Sequence, residues 1–323
     1  MPRLTARARR LPRRGPGGGV PGYIRPRGPP GCGPLRRSDR GARPAGATMD
    51  QARRALGDLL SRPEGTWSLT DGALVVARLE SPTLEPRTVH AAFERMAADA
   101  RAALGTACHP RFVPPTLYGL LERRIGLALP SAPQREPAAW CLDSGLRRGL
   151  MAPELIAVVI AELARRAGHR FHVIAVPGRL LLMRRDVRER PLLWDPADRA
   201  RELTPEACAE RVAATAGGVP RFREGWLRPL EPTQVVARLI TGIKTACWHQ
   251  GITEQALAAT RLLLAIRPDD PREIRDSGQL LFALGRYPEA IDAFEMFLAS
   301  NPHGQEADAV RMLLMEARRG LSG

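Results

Sequence analysis

The sequence predicts an α+β domain, a helix followed by a small antiparallel sheet, and after it an all-α region built from repeats. Two observations predict this class: an amphipathic helix followed by three short strands in the middle of the chain, and a 34-residue periodicity near its end. A third observation separates the first 48 residues, which are rich in Arg, Pro and Gly. We therefore divide the chain into a leader (1–48), a mixed domain (49–229) and a repeat region (230–323).

The leader carries most of the charge of the chain. Its 12 Arg and single Asp give +11 of the formal net charge of +15, and it also holds 10 Gly and 9 Pro. Ordering a residue costs about 1–2 kcal/mol, and the leader has few apolar side chains to offset this cost, so we expect disorder. Arginines could bind nucleic acid, but Tyr23 is the only aromatic residue of the leader, so we expect no nucleic-acid partner. We favour the interpretation that translation starts at Met49 and that the leader is a mispredicted extension.

The rest of the composition argues against several classes of protein. The sequence has no apolar run of the roughly 18–20 residues that a membrane helix needs, so we expect no membrane insertion and a cytoplasmic protein. The five cysteines are widely scattered and form no CxxC spacing, so we expect no structural metal. No glycine-rich phosphate loop stands between a strand and a helix, and we expect no cofactor.

From Met49 to about Leu104 the pattern is helical. We expect Asp50 to cap a first helix that runs to Leu60. A second helix should end near Pro82, and Pro86 should open a third, because proline suits the first turn of a helix. A short helix is predicted at Leu117–Arg124.

The centre of the mixed domain contains its clearest elements. One strong amphipathic helix is predicted from Glu154 to Gly168, where glycine supplies a left-handed stop. Turn residues then separate short apolar runs, which predicts a meander of strands. The predicted strands are Phe171–Val176, Leu180–Met183 and Leu192–Trp194, and another helix should begin at Thr204-Pro205.

The repeat region matches itself at a spacing of 34 residues. Small residues recur at this spacing, as expected where two helices cross closely. Prolines also recur at this spacing, as expected where a pair of helices ends. The pattern resembles the tetratricopeptide repeat, which implies a protein partner whose identity the sequence does not predict. Two units and a final helix at Gln305–Arg319 are few, so we expect them to pack on the preceding domain. The signature residues are Gly251, Ala256, Pro268, Gly278, Gly285, Tyr287, Ala290, Phe294 and Pro302.

Several short segments, taken in order, resemble a bacterial family of transglutaminase-like proteins, the SirB type. The likeness covers about residues 70 to 320 and implies a papain-like arrangement of helix and antiparallel sheet. The segments that carry it are Asp71–Arg78 followed by Pro82, Glu162–Gly168, Pro177-Gly178, Asp195-Pro196, and Arg275-Asp276 with Gly278.

The resemblance also implies where catalytic residues would stand. Active members of the fold place a cysteine at the start of the core helix, a histidine on the next strand and an aspartate on the strand after it. Here these positions hold Pro153, Arg179 and Asp195. Proline is no nucleophile, and arginine stays protonated, so it cannot accept the proton. The resemblance therefore implies a pseudoenzyme, and we expect an Arg179–Asp195 ion pair in the vacated site.

The favoured interpretation is a noncatalytic scaffold or regulatory protein whose repeats bind another protein. An alternative set of catalytic residues is Cys141, His172 and Asp195, which would make the protein a thiol-dependent hydrolase or acyltransferase. Against it, a cysteine after a tryptophan is more often a buried thiol. The second alternative is nucleic-acid binding through the basic leader.

Overall fold

A computed structural model describes residues 45–63, 65–185, 190–216 and 221–322. These residues form twelve α-helices and one four-stranded antiparallel sheet, connected by turns and short 3-10 helices. The helices are α1 Ala45–Leu60, α2 Leu69–Ala77, α3 Pro86–Leu104, α4 Val113–Ile125, α5 Leu142–Arg148, α6 Pro153–Arg166, α7 Pro205–Ala216, α8 Pro232–His249, α9 Thr253–Ile266, α10 Pro271–Ala283, α11 Tyr287–Ser300 and α12 Gln305–Ser322. The strands, in sheet order, are β1 His172–Val176, β2 Arg179–Arg184, β3 Leu192–Asp195 and β4 Arg201–Leu203.

The predicted start of the first helix is wrong. Helix α1 begins at Ala45, so Asp50 lies inside the helix and does not cap it. Residues 45–48 of the predicted leader belong to this helix. The predicted disorder and nucleic-acid binding of residues 1–44 concern a segment outside the described residues.

Helix α6 is the centre of the mixed domain. Its residues from Leu155 to Ala164 are all buried, and Gly168 follows it with a positive φ of 90°, as predicted. The sheet places one face against α6, because side chains alternate along each strand. Val173, Leu182 and Trp194 lie on this face and join the main core.

The opposite face of the sheet carries a second, smaller apolar cluster. Ile174, Leu181 and Leu193 lie on this face and pack with Cys208 and Val212 of helix α7. The sheet therefore lies between α6 and α7.

The five C-terminal helices follow the predicted repeat. Gly278 of α10 lies directly under the ring of Phe294 of α11, where an added Cβ would stand 2.5 Å from a ring carbon. Gly251 and Gly285 lie between the helices of each pair with φ values of 70° and 72°. Ala290 has no exposed surface, as a close helix crossing requires.

The repeat region shares its core with the mixed domain. Helix α8 packs against α2 so closely that a Cβ on Gly72 would stand 2.2 Å from Val236. The ring of Trp140 covers Gly242 of α8 in the same way. One apolar cluster runs from Ala52 in α1 to Leu314 in α12, which confirms the expected packing on the preceding domain. The boundary between residues 229 and 230 stays a prediction. None of the described helices is both long enough and apolar enough to cross a membrane.

Candidate functional site

A buried carboxylate at the end of β3 organises the candidate site. Asp195 has no exposed surface, and its Oδ2 accepts hydrogen bonds from Arg179 Nη1 at 2.7 Å and from Arg211 Nη1 at 2.6 Å. Its Oδ1 accepts the backbone N–H of Ala197 at 2.9 Å. Arg211 also donates to Asp198 Oδ2 at 2.6 Å. We call Arg179, Asp195, Asp198 and Arg211 the Asp195 cluster.

The fold explains why these four residues meet. Arg179 opens β2 and Asp195 closes β3, and both side chains point to the sheet face that α7 covers. Arg211 comes from α7, next to the buried Val212. The cluster thus joins two strands to α7 with two positive and two negative charges. Because the charges balance, the two guanidinium groups offset the free-energy cost of burying the Asp195 carboxylate.

The start of helix α6 lies within electrostatic reach of the cluster. Pro153 occupies the first turn, and Ala152 before it makes no side-chain cap. Burial raises the pKa of Glu154, the next residue, and the negative charge of Asp195 raises it further, while Arg238 and Arg179 lower it only in part. A carboxyl group with a raised pKa is held closer to its neutral form. The first turn of α6 is thus close enough to Arg179 and Asp195 for their charges to affect Glu154; that Pro153, Arg179 and Asp195 mark one vacated catalytic site stays a prediction.

Sequence reasoning missed Glu154, Asp198, Arg211 and Arg238 as neighbours of this site. Glu154 follows the helix-opening proline, so the sequence could have placed it in the first turn of α6, beside the predicted site. Arg211 stands beside the apolar face of α7, but the sequence does not show which sheet face that helix covers.

Cys141 lies in a different part of the mixed domain. It precedes α5, has no exposed surface, and its Sγ lies 3.7 Å from the carbonyl oxygen of Pro137. Burial raises the pKa of the Cys141 thiol well above its usual value, and the neighbouring Glu80 and Asp143 raise it further. A thiolate is the reactive form of cysteine. The surroundings of Cys141 disfavour that form.

His172 stands at the exposed start of β1, opposite Met183 of β2. Within the described part of the chain, no hydrogen bond or ion pair joins it to Cys141 or Asp195. The structure therefore does not bring Cys141, His172 and Asp195 into contact with one another.

The other buried thiols are no better activated. Burial raises the pKa of Cys208, and burial with the charge of Glu80 raises that of Cys247 to about 12. Cys108 is half-buried, and its Sγ lies 3.6 Å from the carbonyl oxygen of His109. Among the described residues, no group of three or more His, Cys, Asp or Glu side chains is arranged to hold a metal ion.

Two different family models match the two halves of the chain. A family model described as the transglutaminase-like superfamily matches residues 87–241, and a tetratricopeptide repeat model matches residues 243–315. Together with the helix-and-sheet architecture, these matches define the class: a transglutaminase-like domain followed by a tetratricopeptide repeat region.

Among individual proteins, the chain is similar to bacterial proteins called UPF0162. The UPF0162 protein of Xylella fastidiosa strain Temecula1 is 23% identical over 262 residues, which cover 80% of this chain and 93% of the relative. The UPF0162 protein of Vibrio cholerae is 21% identical over 243 residues, covering 75% and 90%. A solved structure, that of menin, matches 83% of this chain and 74% of its own at 11% identity with a TM-score of 0.38, a likeness that supports no conclusion.

Proposed function

We propose that this protein is a noncatalytic, SirB-type transglutaminase-like scaffold that acts in the cytoplasm and binds a protein partner through its repeats. The observation that carries the proposal is the Asp195 cluster. It supports the proposal because the family resemblance assigns a histidine to the position of Arg179, whose guanidinium group binds Asp195.

The geometry of Asp195 supports this reading. In a Cys–His–Asp arrangement the carboxylate accepts a hydrogen bond from the imidazole and holds it in position. Here Oδ2 already accepts two guanidinium hydrogen bonds and Oδ1 accepts a backbone N–H. Arg179 and Arg211 keep their protons at any ordinary pH and cannot act as a base. The cluster is therefore suited to holding β2, β3 and α7 together.

The proposal can be tested by the reactivity of each cysteine. The native full chain is alkylated with iodoacetamide at neutral pH, and the modification of each cysteine is followed by mass spectrometry. We expect Cys141, Cys208 and Cys247 to react more slowly than in the denatured chain, because burial raises their pKa values. The half-buried Cys108 serves as the internal control.

One result would favour the thiol-dependent hydrolase or acyltransferase instead. Selective, fast labelling of Cys141 that is lost in His172→Ala would show an activated thiolate paired with that histidine. An unchanged rate in His172→Ala, with a slow Cys141, supports the scaffold.

The binding half of the proposal concerns the first helix of each repeat. Arg238, Arg272 and Glu306 stand 34 residues apart on α8, α10 and α12, and all three are exposed. Equivalent positions of stacked units fall on one surface of the array. Arg238 and Arg272 offer two cations to a partner, while Glu306 already pairs with Arg275 at 2.8 Å, so the row fits a peptide with acidic residues facing the two arginines.

The row can be tested with a charge reversal and a matched control. The full chain is used as bait for quantitative protein capture, alongside Arg272→Glu and Arg267→Glu. Both arginines are exposed, but Arg267 lies in the loop after α9. We expect proteins retained by the wild type to be lost with Arg272→Glu and kept with Arg267→Glu. Equal recovery with all three baits would contradict the assignment of the binding surface.

A further inference from the structure

A polar cleft opens between helix α1 and the segment that follows helix α2. Residues 51–58 of α1 form one wall, and residues 78–84 form the other. The cleft has a volume of about 380 Å³, at the small end of the range for small-molecule sites. It shares no residue with the Asp195 cluster or with the row of Arg238, Arg272 and Glu306. A ligand in this cleft would therefore add a function beyond the proposed scaffold.

Three charged side chains line the cleft without ion-pair partners. Arg54 and Asp58 stand four residues apart on α1, and Arg78 follows the last turn of α2. Arg54 Nε donates to the backbone oxygen of Asp50 at 3.2 Å. Within the part of the chain that the structure describes, none of the three forms an ion pair. Two guanidinium groups and one carboxylate thus remain available to a ligand.

A buried acceptor in the same cleft also lacks a partner. Gln51 Oε1 is shielded from solvent and accepts no hydrogen bond from any described residue. A buried polar atom without a partner costs free energy, so it favours a ligand that can donate a hydrogen bond. The remaining wall is apolar and consists of Ala55, Pro82 and Leu84. The cleft therefore suits a small molecule that carries a carboxylate, a hydrogen-bond donor and an apolar group.

We propose that this cleft binds a free α-amino acid with an apolar side chain. The carboxylate of the amino acid lies between Arg54 and Arg78, because guanidinium groups bind carboxylates with strong, charge-assisted hydrogen bonds. The ammonium group donates to the carboxylate of Asp58 and to Gln51 Oε1, which gives the buried acceptor its partner. The side chain of the amino acid packs on the apolar wall. Opposite charges at the two ends of the site thus fix the orientation of the ligand.

The first experiment is a ligand-observed NMR titration of the full chain with L-leucine and two analogues. L-leucinamide lacks the carboxylate, and N-acetyl-L-leucine lacks the ammonium group. For a ligand of this size in an open cleft we expect L-leucine to bind with a Kd on the order of 1 mM, and both analogues about tenfold more weakly. Absence of saturable binding of L-leucine, or equal binding of either analogue, would overturn the proposal.

The second experiment tests where the amino acid binds. Arg78→Met and Asp58→Asn should each weaken the binding of L-leucine about tenfold, because each removes one charged partner. Arg54→Met, on the exposed surface of α1, provides a second variant for the carboxylate end. Arg53→Gln and Asp50→Asn are the matched controls, since both residues are exposed on α1 but lie outside the cleft, and they should leave the affinity unchanged. Equal affinity in all five variants would show that the cleft is not the binding site, and circular dichroism of each variant checks that it is folded.

Discussion

Glu162 is a charged residue in the interior of helix α6. Its carboxylate is 1% exposed and accepts hydrogen bonds from Arg165 at 2.7 Å and from Arg166 at 2.9 Å. Burial alone raises the pKa of Glu162, but the two guanidinium groups outweigh it and hold the pKa below the ordinary value of 4.5. A lowered pKa means that the charged form stabilises the fold.

The contribution of Glu162 should therefore depend on pH. Because its pKa is lower in the folded chain, its stabilising effect is full above pH 4.5 and disappears as the pH falls through the folded value. We expect Glu162→Gln to lower the free energy of unfolding by about 2–4 kcal/mol at neutral pH, measured by urea denaturation. The difference from the wild type should shrink below pH 4.5. Glu94→Gln is the control: Glu94 also binds Arg166 but is 65% exposed.

Asp195 provides a second prediction at the residue scale. Asp195→Asn should destabilise the chain by about 2–4 kcal/mol, because it leaves Arg179 and Arg211 without their shared carboxylate. A double-mutant cycle with Arg179→Met should give a coupling energy of about 1 kcal/mol or more. Asp198→Asn removes a 35% exposed carboxylate from the same Arg211 and should cost less. A coupling energy of zero in the cycle would show that the ion pair between Arg179 and Asp195 does not stabilise the fold.

How much of the candidate site the sequence predicts depends on the residue. Arg179 and Asp195 were assigned together from family positions on successive strands, and the structure shows an ion pair between them. Glu154 and Arg211 were not assigned, since their roles depend on the packing of α6 and α7 against the sheet. That these residues mark a vacated catalytic site stays a prediction.

At the scale of elements, two helical glycines should respond to alanine in opposite ways. Gly278 lies under Phe294 with no room for a Cβ, so Gly278→Ala should destabilise the fold by about 1–3 kcal/mol through overpacking. Gly57 in α1 has no atom within 4 Å of an added Cβ, and Gly57→Ala should stabilise the fold by about 0.4–1 kcal/mol. Thermal unfolding of both variants measures the difference. Equal effects would show that Phe294 does not confine Gly278.

The strength of the apolar pattern of an element, more than its length, decides how well the sequence predicts it. Helix α6 and strands β1 to β3 were predicted to within two residues at each end, because long or strictly apolar segments give a clear pattern. Helix α5, with seven residues, and β4, with three, were missed. These two elements lack a clear apolar pattern of their own, and packing against their neighbours stabilises them.

At the scale of the whole molecule, helix α8 belongs to both halves of the chain. It forms the first repeat with α9, and it also supports the mixed domain through Gly72 and Trp140. The family models divide the chain within α8, at residues 241 and 243. The structure instead places one continuous core across this point. The two halves should therefore fold as one cooperative unit.

Gly242 gives the sharpest test of this cooperativity. A Cβ at Gly242 would stand 2.0 Å from the ring of Trp140, so Gly242→Ala must displace either the tryptophan or α8. We expect a loss of about 1–3 kcal/mol and faster hydrogen exchange in both α6 and α10, since each half loses the support of α8. Calorimetry should show one transition for the wild type and the variant. Two transitions, of which Gly242→Ala shifts only one, would show instead that the repeats fold separately from the domain that carries the Asp195 cluster.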